Sequence, residues 1–214
     1  MLQRAVALIS ATVLATTLTA CSVHSSKDNG SDNVRISTPF GGMHVESNKT
    51  TATDIGLPLY PGATPYKDAS GEDHAGSANV SMSFGSFHLK VQAVSYQTPD
   101  SPEKVFAFYR PALAKYGDVL ECDGNKPIGQ PTVAASGLTC SDDEHSKVHF
   151  NASDSSHITT NDNGLGNHNG HQLRAGSPHA FRLVEVDANH PGFTKFGLVN
   201  LELPHGDNKN GQSN

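Results

Sequence analysis

Residues 79–92 read NVSMSFGSFHLKVQ, and their alternation decides what kind of fold this chain builds. Val80, Met82 and Phe84 alternate with polar residues, Gly85-Ser86 matches a two-residue type II′ turn, and Phe87, Leu89 and Val91 resume the alternation. A tight turn there opposes Phe84 to Phe87, Met82 to Leu89 and Val80 to Val91. Every opposed pair is then apolar and on one face, while Ser81, Ser83, His88 and Lys90 take the other. The segment reads as an antiparallel hairpin with one face to bury.

The sequence that follows offers a cover. In PDSPEKVFAFYRPALAKYG (99–117), either Ser101 caps a helix with Pro102 at its first position, or Asp100 and Glu103 form a capping box. Val105, Phe106, Tyr109, Ala112, Leu113 and Tyr116 fall within a stripe about 120° wide at the helical period, and Gly117 supplies the stop. Pro111 is discordant, because an interior proline removes one backbone bond; a kink near 107–111, or a break into two short helices, is expected. The apolar face of the hairpin is expected to pack on this stripe.

Outward from this unit, GLPLYPGA (56–63) places Pro61-Gly62 as a type II turn, with Leu59 and Tyr60 available to pack beneath it. DVLECD (118–123), GLTCSD (137–142) and KVHFNAS (147–153) read as short strands before a long loop. HAFRLVEVDAN (179–189) and FTKFGLVNLELP (193–204) then read as strands around His190-Pro191-Gly192, with Val199, Leu201 and Leu203 as a buried face. Many strands and one substantial helix predict an α+β domain, an antiparallel sheet with that helix, kinked or not, packed on one face. A β-sandwich or half-barrel with the helix at one end is the competing arrangement. The domain is expected over 54–204, with 205–214 a disordered tail. Residues 21–53 read as a polar tether: SVHSSKDNGSDN has no periodicity, and NVRISTPFGGMHVES is either a short hairpin at 33–47 or tether with scattered apolar residues.

LPLYPGA, the hairpin and TPDSPEKVFAFYRPALAKYG together resemble a domain of bacterial envelope proteins that carries a Y-P-G-A turn and a Ser-Pro-Glu helix with Phe-Tyr. The resemblance covers roughly residues 34–122 and implies fold and location, without an activity. Tyr60, Pro61, Gly62, Phe108 and Tyr109, which carry it, also suit plain turn and core roles.

The compartment is read from the N-terminus. Ala5–Ala20 is an uncharged apolar run after Arg4, shorter than the ~20 residues a membrane-spanning helix needs, and reads as a signal peptide over 1–20. Its end, Leu18-Thr19-Ala20-Cys21, resembles the bacterial lipobox. That resemblance implies cleavage before Cys21 and acylation of its thiol with diacylglyceryl and palmitate-type chains, hence attachment to a membrane on the extracytoplasmic side of the cell envelope. Cys122 and Cys140 remain as an isolated pair in an exported chain, and a disulfide is the economical reading. The net charge of −6, with Arg4 the sole charge in the leader, argues against nucleic acid as a partner.

No G-x-S-x-G, Walker A, H-E-x-x-H, dinucleotide fingerprint or EF-hand loop occurs, so no catalysis is expected. Six of the twelve histidines crowd into 145–179, after Asp142, Asp143 and Glu144. Imidazoles and carboxylates of this kind suit zinc or copper, with His145, His149, His168 and His171 the candidate ligands. A polar loop that happens to be rich in histidine is the plainer reading. The chain is thus expected to bind an envelope protein or a small ligand, or to serve as an envelope component, with extracytoplasmic metal binding as the alternative.

Overall fold

The computed structural model describes residues 21–28, 31–66, 76–141 and 170–204. The expected leader (1–20), strand 147–153 and tail (205–214) lie outside them. Within them the chain is one antiparallel sheet with one main helix. Its strands are β1 (Ser22–Asp28), β2 (Ser31–Thr38), β3 (Gly41–Ser47), β4 (Thr64–Pro65), β5 (Ser77–Phe84), β6 (Phe87–Thr98), β7 (Leu120–Asp123), β8 (Lys126–Pro127), β9 (His171–Ser177), β10 (Ala180–Asp187) and β11 (Thr194–Glu202). They are ordered β1-β2-β3-β5-β6-β11-β10-β9-β7-β8, with β4 also paired to β6. A short helix α1 (Ala52–Ile55) precedes β4, and helix α2 (Pro102–Leu113) follows β6.

The hairpin forms in the expected register, with Val80 opposite Val91, Met82 opposite Leu89 and Phe84 opposite Phe87. Gly85 has φ +59°, which the first central position of a II′ turn requires. The helix starts at Ser101 with Pro102 in the first turn, and no capping box closes there. It runs through Pro111 without a break and tightens into a 3-10 turn over Ala114–Tyr116 before Gly117. The bond Pro111 forgoes is to exposed Ala107, whose carbonyl water can serve, so the helix does not break into two. Pro61-Gly62 makes the expected turn, closed by Ala63 N–H to Tyr60 O at 3.1 Å, but only Tyr60 packs inward; Leu59 is exposed.

The expected packing of hairpin on helix is overturned. Val105, Phe106, Tyr109, Ala112 and Leu113 bury against Val94, Tyr96, Leu173, Ala175, Val184, Val186, Phe196 and Leu198, together with Ile55, Leu57 and Tyr60. Leu89 and Val91 belong to a second core, with Leu120, Cys122, Ala134, Leu138, Cys140, Phe181, Leu183, Leu201 and Leu203, and Val80 and Met82 at its margin. The reason lies in β6. Its apolar residues change face between Val91 and Val94, with Gln92 buried between them, so one strand serves two cores on opposite faces. The helix leaves β6 through a three-residue link (99–101), which lays it over the half where Val94 and Tyr96 point.

Three further differences concern element boundaries. Ser22–Asp28, expected as tether, is strand β1, and β2–β3 is the hairpin at 33–47 extended to Ser31 and joined to β5. β1 adds by backbone pairing and one exposed ion pair, Lys27 with Asp32, since its described side chains are exposed, and nothing in their hydropathy announces it. β9 falls wholly in the expected loop because Gln172 and Arg174 are buried beside Leu173, which erases the alternation. Residues 137–141 form no strand: they follow the turn at 135–136, with Ala134 N–H bonded to Leu138 O at 2.9 Å, and carry Cys140 to the sheet, while Asp142 lies outside the described residues.

Candidate functional site

Pairing β2, β3, β5, β6 and β11 lines up polar residues that are scattered in sequence. Arg35 faces His44, His44 faces Ser81, Ser81 faces Lys90, and Lys90 faces Glu202. Two residues along, Ser37, Gly42, Ser83 and His88 form a parallel row on the same face. Between the rows the sheet forms an open groove of about 610 Å³, lined by these residues and bordered by Ile36, Met43, Met82 and Leu89. The side chains of those four alternate to the other face.

The electrostatics of the groove favour donors. Lys90 Nζ lies 3.9 Å from Glu202 Oε1, which also accepts from Asn200 Nδ2 at 3.2 Å. His44 Nε2 is 3.9 Å from Glu46, which Lys49 reaches at 3.0 Å. The buried Nδ1 of His44 has no hydrogen-bond partner among the described residues. Buried polar atoms are ordinarily paired, so a polar ligand bound here would satisfy a group the fold leaves open. The guanidinium, ammonium and imidazole groups suit a carboxylate or another acceptor-rich group. Sequence reasoning placed Ser81, Ser83, His88 and Lys90 on a plain solvent face. The groove exists only once β3 and β11 flank the hairpin, and no local pattern announces that.

The residues singled out from sequence are dispersed. Cys21 is exposed, carries a free thiol and immediately precedes β1. Cys122 and Cys140 are bonded, with Cα atoms 5.7 Å apart, in the second core. His145, His149 and His168 lie outside the described residues. His171 opens β9, with Nε2 at 2.7 Å from Glu121 Oε1 and its ring edge-on to Phe106. Arg110 Nη2 donates to the other Glu121 oxygen, so this carboxylate clamps helix α2 to β7 and β9. Burial opposes ionisation of Glu121 most strongly, but the bonds from Arg110 and His171 outweigh it and hold the carboxyl below its ordinary value. A metal taking His171 at Nε2 would have to displace that contact, whereas one at Nδ1 would leave it in place. Among the described residues no three His, Cys, Asp or Glu side chains are grouped to hold an ion, and no helix is long and apolar enough to cross a membrane.

No protein-family model, curated protein or solved structure matches the chain. The resemblance of residues 34–122 to an envelope domain therefore rests on its own residues.

Proposed function

We propose that this chain is a lipid-anchored protein of the bacterial cell envelope, held on the extracytoplasmic side by acylated Cys21, and that it works by binding. The observation that carries the reading is Leu18-Thr19-Ala20-Cys21 at the end of the apolar run Ala5–Ala20. The exposed thiol of Cys21 and the bonded pair Cys122–Cys140 support it, since structural disulfides belong to exported chains. The groove along Arg35, His44, His88 and Lys90 is the surface offered to a ligand or envelope partner with an acceptor-rich, anionic group. The net charge of −6 disfavours nucleic acid.

Cys21→Ala tests the anchor, because the thiol is the atom acylated. Cells fed radiolabelled palmitate should label the native chain, whereas the variant should stay unlabelled and keep its leader. Equal labelling of the two would defeat the reading.

A further inference from the structure

Of the seven large apolar side chains exposed among the described residues, four cluster at one end of the sheet: Val23, Phe40, Phe84 and Phe87, at 70, 84, 42 and 39 % exposure. Strand pairing brings them together. Gly41 lies opposite Phe84, Phe84 opposite Phe87, and Gly85 N–H donates to Phe40 O at 3.3 Å, so two adjacent hairpin tips share one rim. A side chain at Gly41 would collide first with the Ser83 carbonyl and then with the ring and backbone of Phe84, so the two tips approach this closely only over a glycine. Ser22 pairs with Ser37, three residues before Phe40, so Cys21 emerges at this same end.

The charge pattern is equally one-sided. The chain has 21 acidic residues, yet 21–23, 36–43 and 82–89, which build this end, contain no Asp, Glu, Lys or Arg. The next row back carries His24, Arg35, His44, Ser81, Lys90 and, at its edge, Glu202 in register, so its basic side chains stand against a single carboxylate. At the rise of an extended strand, Lys90 stands ~10 Å behind Phe87. An apolar rim followed by cations one layer deeper is the order a protein meets on entering an anionic bilayer, where apolar side chains settle at the acyl boundary and basic ones at the headgroups.

We infer that this end of the sheet is a membrane-contacting surface, on which Phe40, Phe84 and Phe87 seat in the bilayer that holds Cys21 while Arg35 and Lys90 face its headgroups. The inference rests on the anchored reading proposed above. It follows from the absence of slack: Ser22 is already in β1, so an acyl group on Cys21 brings the Phe40 rim to the lipid surface without an intervening linker. The rim thus fixes the orientation of the domain, with the groove opening beside the membrane.

The chain contains no tryptophan, which makes the test direct. Phe40→Trp and Phe87→Trp each place a single indole on the rim, and Leu59→Trp places one at an exposed site past the opposite end of β6. Each full-length variant is expressed with its leader, purified from membranes and reconstituted into phosphatidylethanolamine–phosphatidylglycerol vesicles with brominated acyl chains. The indoles at 40 and 87 should shift to the blue and lose most of their emission to the bromines, while the one at 59 keeps both its wavelength and its intensity. Equal quenching at 40 and 59 would overturn the inference, as would a blue shift at 40 that is indifferent to bromine, which a second copy seated on the rim would produce. The mass of the N-terminal peptide separates the two readings. An acylated chain with an unquenched indole at 40 overturns the contact and leaves the anchor standing, whereas an unacylated N-terminus overturns both.

Discussion

Glu121 is the side chain on which helix α2 and the far strands of the sheet depend together. Its two oxygens take Arg110 from the helix and His171 from β9, and it stands only partly shielded, at 23 % side-chain exposure. Because its carboxyl is held below the ordinary value in the folded chain, it contributes stability above the pKa of an unfolded glutamate. That stability is lost as the pH falls through the depressed folded value. Glu121→Gln should therefore cost about 1.5–3 kcal/mol near neutrality, the range for hydrogen bonds to a charged group, and progressively less toward acid. Urea midpoints of both proteins across that range measure it, and a gap that stays constant with pH would refute the role. None of this was legible in sequence. Glu121 and His171 are 50 positions apart, and His171 stood out as one of a crowd of imidazoles, not as a carboxylate's partner.

At the scale of the element, the hairpin and helix were readable because each carries its own period, and the register followed from the pairing of Phe84 with Phe87. What could not be read was which face met which. Leu89 and Leu113 are both buried, yet they lie in separate cores across the sheet. Leu89→Ala and Leu113→Ala should each cost about 2–5 kcal/mol through lost burial and a residual cavity. Having no shared neighbours, they should add in the double variant to within ~0.5 kcal/mol. Clear non-additivity in chemical denaturation would restore the single core that sequence alone suggested. The disulfide belongs to the Leu89 core and closes a loop of sequence separation 18. Loop-closure entropy at this length gives ~3 kcal/mol, so reduction should lower the melting temperature by roughly 6–12 °C for a domain of this size. An unchanged melting temperature after complete reduction would show that Ala134, Leu138 and their neighbours hold the loop without it.

The whole molecule is a sheet stabilised unevenly along its width. β6 and β11 are buried on both faces, as are parts of β9 and β10, whereas no residue of β1, β2 or β3 belongs to either core. The central strands announced themselves in part, through Leu89, Val91, Leu201 and Leu203, whereas the face carrying Val94, Tyr96, Phe196 and Leu198 emerged only in the fold. The N-terminal extension did not announce itself, because a strand held by backbone pairing at an edge leaves little mark on hydropathy. Local stability should fall from β11 toward β1, since segments with few buried apolar contacts open at a fraction of the global cost. Hydrogen exchange in solution should find the amides of β6 and β11 slowest, those of β3 intermediate and those of β1 fast; equal protection across all of them would refute the gradient. The same experiment on the acylated protein in vesicles carries the argument further. If the bilayer supplies the cover that β1–β3 lack in water, the added protection should fall on β1–β3 and on the turn at Gly85-Ser86, and leave the connection 188–193 between β10 and β11, at the opposite end of the sheet, unchanged. Protection that rises everywhere alike would instead mean that anchoring stabilises the domain without orienting it.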